Sequence, residues 1–88
     1  MTEKQNKLAD AITKAVAEYI DNYQDYGPYA NVAINPETME VKLVKNGEST
    51  GKEVYDYIPA MEMTVLADPS QGIMEPDPNQ IDALASQY

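Results

Sequence analysis

The sequence predicts an α+β domain: a long N-terminal helix packed on a small antiparallel sheet of three to four strands, followed by a short C-terminal helix. Three observations carry that expectation. Apolar residues recur at helical spacing over the first quarter of the chain, the period changes to two after Pro28, and a second capped apolar stripe closes the sequence. With 88 residues the chain can support one core, so residues 1–88 are read as a single domain.

The first helix is expected between Glu3 and Tyr26. Leu8, Ile12, Ala15, Val16, Tyr19, Ile20 and Tyr23 are spaced by three and four, which places them on one face. Thr2 and Gln5 have the form of a capping box, and Gly27-Pro28 supplies a residue that tolerates a left-handed turn and one that cannot continue a helix. Glu3 with Lys7 and Asp10 with Lys14 are acid-to-lysine pairs four residues apart, each adding a few tenths of a kcal/mol.

Two strands follow, with Val32 and Ile34 and then Val41 and Leu43 as the alternating apolar positions. Asn35-Pro36-Glu37-Thr38 is turn chemistry, so the pair reads as a hairpin. Asn46 to Lys52 is a longer connection and Val54 to Ile58 a third strand, giving a meander. Pro59 lacks the donor a central strand needs, so Ala60 to Ala67 is a separate element or an edge strand. Alternation of Met61, Met63 and Val65 favours strand there over helix.

Asp68 to Asn79 holds three prolines, a glycine and three acids, and is expected to be an exposed acidic, proline-rich loop over 68–79. The last helix has Asp77 as cap, Pro78 at its first position, Gln80 to complete a capping box, and Ile81, Leu84, Ala85 and Tyr88 as its apolar stripe.

Charge narrows the function classes. Residues 1–52 hold eight acids against all six lysines, and residues 53–88 hold seven acids and no base, so the net charge of -9 falls mainly on the second part. Such a chain offers no positive surface for phosphates, which argues against direct nucleic-acid binding and against docking on an anionic membrane. A charged partner would be basic. The N-terminus has no apolar signal core and no run is long enough to span a bilayer, so a cytoplasmic location is expected.

Cysteine and histidine are both absent, which removes thiolate chemistry and the commonest general base and metal ligand. Gly47 to Lys52 fails as a phosphate loop, because three residues rather than four lie between its glycines and Lys52 precedes Glu53 rather than Ser or Thr. Asp68, Ser70, Glu75 and Asp77 lack the order of an EF-hand loop. Carboxylate-pair catalysis is disfavoured by the size of the chain. The expectation is a protein that is not an enzyme, with no catalytic residue, cofactor, metal or small-molecule substrate.

Tyrosine is the aromatic of this chain, with seven copies and no Phe or Trp. Tyr23, Tyr26, Tyr29, Tyr55 and Tyr57, with Met61 and Met63, form the candidate interface, since tyrosine is enriched at interface hot spots and methionine adapts to partners. As ordinary structure they would cover the edge of the core. The expected function is a protein-interaction module that self-associates, as a homodimer, through this Tyr/Met surface. The alternative is an acidic decoy inhibitor that imitates nucleic acid in a basic protein groove, motivated by the lysine-free second part.

Tyr57-Ile58-Pro59-Ala60-Met61-Glu62-Met63, the loop around Glu75-Pro76-Asp77 and the helix ending in Tyr88 resemble the C-terminal half of small uncharacterised proteins of gut Bacteroidetes. The resemblance covers about a third of the chain. It implies a bacterial, cytosolic source and brings no activity with it.

Overall fold

A computed structural model describes residues 2–45, 47–48, 50–51 and 54–88. The reading of Gly47 to Lys52 therefore falls partly outside the described residues. In order, the elements are α1 (Glu3–Asp21), α2 (Tyr23–Tyr26), β1 (Asn31–Ile34), β2 (Val41–Val44), β3 (Asp56–Pro59), a 3-10 turn (Ala60–Met63), β4 (Thr64–Asp68), β5 (Ile73–Pro76) and α3 (Pro78–Ala85). This is the expected α+β fold.

The start of α1 is the predicted capping box: the Thr2 hydroxyl accepts from the Gln5 N–H at 3.2 Å, and Gln5 Oε1 accepts from the Thr2 N–H at 2.9 Å. Its buried face is Leu8, Ala9, Ile12, Ala15, Val16 and Tyr19. Truncating Ile12, which is fully buried, would cost about 2–5 kcal/mol. On the solvent face Glu3 and Lys7 pair at 3.7 Å, whereas Asp10 and Lys14 do not pair.

The helix predicted to run to Tyr26 is interrupted at Asn22. The Asn22 side chain donates to the Glu18 carbonyl at 3.0 Å and its backbone leaves helical torsions, so the side chain competes with the helix ladder for that carbonyl. A single further turn, α2, then ends at Gly27, whose φ of 74° suits glycine.

The hairpin of β1 and β2 forms as expected. Asn35 Oδ1 accepts from the Glu37 and Thr38 N–H groups and holds the turn, and Met39 takes a left-handed φ of 62° at its end. The third strand does not extend a meander. β3 pairs with β1, giving the order β2-β1-β3, so β1 is central and β2 and β3 run parallel to each other. Pro59 is tolerated as the last residue of β3 because β3 is an edge strand.

That order has a topological consequence. β2 ends beside Asn31 and β3 begins beside Ile34, at opposite ends of β1. Val32, Ile34, Ile58, Val41 and Leu43 pack toward the core with α1. Side chains at the alternate positions, among them Ala33, Val44 and Tyr57, point to the opposite face. Thr50 meets Tyr57 on that side, with its N–H donating to the Tyr57 hydroxyl at 3.1 Å. Ala33, Val44 and Tyr55 are buried outside the main core cluster.

Two further expectations are corrected. Residues 60–67 are neither one strand nor one helix: the 3-10 turn reverses the chain and β4 begins at Thr64. Residues 68–79 are not a loop throughout, because Ile73–Pro76 pairs with β4 as strand β5 and Pro78 and Asn79 open α3. The turn between them is Asp68-Pro69-Ser70-Gln71, closed by Gln71 N–H to Asp68 carbonyl at 3.1 Å and followed by Gly72 at φ 71°.

α1 is the hub of the molecule, packing on β1 and β2, on α3 and on β5. α3 buries Ile81 and Ala85, and its cap Asp77 accepts from the Asn79 N–H rather than completing a box with Gln80.

Candidate functional site

The seven residues expected to form one contact surface are dispersed by the fold. Met63 is buried in the core and Tyr55 is buried on the second sheet face, so neither is open to a partner. Met61, two residues from Met63, is exposed: in a 3-10 helix, with three residues per turn, positions two apart point in different directions, and the expected common face does not exist.

The remaining tyrosines occupy separate environments. Tyr26 is half-buried under the Lys45 ammonium, 5.7 Å from its ring centre, and burial followed by the nearby Glu18 carboxylate raises its pKa. Tyr29 is 69% exposed just beyond the turn. The Tyr57 oxygen accepts from Thr50, which favours the phenolate and lowers its pKa. Burial, and then the Glu40 carboxylate, raises that of Tyr55, whose ring lies 5.9 Å from the Lys42 ammonium.

Tyr23 lines a concave site. Because Asn22 breaks the helix, α2 sets the Tyr23 ring edge-on to the buried Tyr19 ring, with centroids 5.6 Å apart and planes at 70°. Ile20, Asp21 and Tyr23 then face Gly72, Ile73 and Met74 across a groove of about 580 Å³. A second hollow of about 410 Å³ continues from it along Asn22, Gln24 and Asp25 and shares Ile20, Asp21 and Tyr23.

The floor of this groove is apolar, and the charged residues lining its two parts are Asp21 and Asp25. Ile73 is 49% exposed and Tyr23 39% exposed, so two large apolar side chains face water at one place. Such a site can bury apolar side chains and attract cations at its rim. It holds no nucleophile paired with a base, and among the described residues no group of three or more carboxylates is placed to hold a metal.

Sequence reasoning missed Gly72, Ile73 and Met74, which fell inside the expected loop. The signal was present: Val65-Leu66 and Ile73-Met74 flank a turn with proline second and glycine at its close, a hairpin pattern. The acids and prolines around it concealed that pattern.

Asp56 accepts from the Tyr88 hydroxyl, Asp68 from the Ser70 N–H and hydroxyl, and Asp77 from the Asn79 N–H. Asp68 and Asp77 thus serve local turns and caps, and Asp56 a long-range tie. No described helix is long and apolar enough to cross a membrane. Comparison with protein-family models, curated proteins and solved structures gives no match.

Proposed function

We propose that this chain is a protein-interaction module whose groove between the end of α1 and β5 takes an apolar segment flanked by lysine or arginine from a partner protein. One observation carries the reading: exposed Tyr23 and Ile73 flank an apolar hollow whose charged lining is Asp21, and Asp25 lines the hollow that continues from it. Apolar floor and acidic rim together select a basic amphipathic segment. A second copy meeting this groove face to face would set those acids against themselves, so a different chain is the favoured occupant here. The engagement of Asp56, Asp68 and Asp77 in hydrogen bonds weighs against nucleic-acid mimicry, which needs carboxylates in ordered rows.

Fluorescence anisotropy with three labelled helical peptides tests the proposal: leucine with lysine, leucine with glutamate, and serine with lysine. The leucine–lysine peptide is expected to bind best, and Ile73→Ser or Asp21→Asn to weaken it several-fold. Equal binding of the serine–lysine peptide, or a leucine–lysine affinity that Ile73→Ser leaves unchanged, would reduce the effect to attraction by net charge and overturn the reading.

A further inference from the structure

We infer that the free edge of β4 joins the same edge of a second copy, making a four-stranded sheet across a two-fold axis at Leu66. This surface lies across the hairpin from the groove and does not depend on the function proposed for it.

β4 has β5 on one side and, among the described residues, no strand on the other. The phase of its hydrogen bonding is set by the bond from the Asp77 N–H to the Met63 carbonyl at 2.8 Å. In an antiparallel ladder the groups aimed at the partner strand alternate, so Met63 and Val65 face β5. Leu66 turns its N–H and carbonyl outward, where exposed backbone groups are a template for another strand.

Around Leu66 the edge lacks the lysine and proline that blunt the other edge strands, although its bulge at Ala67, Asp68 and the following Pro69 bound it on one side. β2 carries Lys42 and is followed by Lys45, and β3 ends in Pro59. Thr64–Asp68 has neither lysine nor proline, its bulge falls beyond Leu66, and Leu66 is 58% exposed. These are the attributes of an edge that pairs.

An antiparallel pairing centred on Leu66 is compatible in charge. Leu66 meets its own copy, Val65 meets Ala67, and Thr64 meets Asp68, so no acid faces an acid. The Leu66 pair exchanges two backbone hydrogen bonds and buries both side chains on one face. Each copy carries a net charge of -9, so the contact is a weak one that strengthens as salt screens repulsion.

The test is light scattering coupled to size exclusion at about 20 and about 500 μM, with sedimentation equilibrium to give the dimer constant. The wild type is expected to shift toward dimer with concentration. Leu66→Lys, which sets like charges opposite and removes apolar contact, is expected to raise the dimer Kd by about tenfold or more with an unchanged far-UV spectrum. The chain has no cysteine, so Leu66→Cys introduces a single thiol.

The Cα separation of a hydrogen-bonded antiparallel pair, about 5.5 Å, is within disulfide reach. Leu66→Cys should therefore cross-link under mild oxidation faster than Thr13→Cys on the exposed face of α1. A strict monomer at the higher concentration, a dimer that Leu66→Lys leaves intact, or equal cross-linking at the two positions would overturn the inference. Should Leu66→Lys unfold the hairpin, the cross-linking comparison decides alone.

Discussion

The hydroxyl of Tyr88, the last residue of the sequence, donates a 2.8 Å hydrogen bond to the Asp56 carboxylate on β3, thirty-two positions earlier. It ties the end of α3 to the edge strand of the sheet. Burial first, and then the Asp56 bond and charge, push the Tyr88 pKa up to about 12. A phenol in an unfolded chain titrates near ~10. Because the folded value is the higher one, the contribution to stability is complete below the unfolded value and is lost as pH rises through about 12. Urea unfolding across that alkaline window should show a fall in stability that Tyr88→Phe reduces. At neutral pH the same substitution should cost about 1 kcal/mol or less, the worth of one hydrogen bond near the surface.

Tyr19 provides a contrast, since its hydroxyl is buried and has no partner among the described residues. A buried donor without an acceptor carries a desolvation cost of about 1–3 kcal/mol. Tyr19→Phe keeps the ring, its edge contact with Tyr23 and the packing of α1, and removes that cost. It is expected to leave thermal stability unchanged or raise it, while Tyr19→Ala should lower it by about 3–5 kcal/mol. A clear loss of stability in Tyr19→Phe would show that the hydroxyl is bonded in solution.

Gly72 closes the turn that brings Ile73 and Met74 to the groove and Leu66 to the free edge. A Cβ there meets nothing within 4 Å, so the cost of Gly72→Ala is torsional, about 1–2 kcal/mol for a φ of 71°. Amide exchange should quicken in β4 and β5 more than in β1, the central strand of the other sheet. Uniform quickening would mean that the hairpin opens only with the whole domain.

Ionic strength separates the two proposed surfaces. Docking of a basic segment beside Asp21 and Asp25 should weaken between about 0.05 and about 0.5 M salt, as attraction is screened. Pairing at β4 should tighten over the same range, because screening relieves repulsion between two acidic copies. Peptide anisotropy and sedimentation run on the same salt series will read the two slopes.

Much of the architecture is legible in the sequence because it rests on local rules. Thr2 and Gln5 close a box through groups three residues apart, and the 3.6-residue period of Leu8 to Tyr19 defines one face whatever lies against it. Asn35 sets the first hairpin turn through its own side chain, and Asp77-Pro78 opens α3 by torsion and capping. Each depends on neighbours along the chain, so composition and spacing suffice to reveal it.

Long-range pairing decided the rest. β3 pairs with β1 rather than with β2, and that register turns Tyr57 to the second sheet face, where its hydroxyl meets Thr50. A 3-10 turn sends Met61 outward and Met63 into the core, although alternation suggested a shared face. Ile73 and Met74 become a strand only once Val65 and Leu66 are beside them. Sequence spacing determined α1, the β1–β2 hairpin and α3, and sequence composition showed where the lysines end. Only the tertiary structure decided which apolar side chains face water, because burial depends on what packs from a distance, and it left Tyr23 and Ile73 around a groove and Leu66 at an open edge.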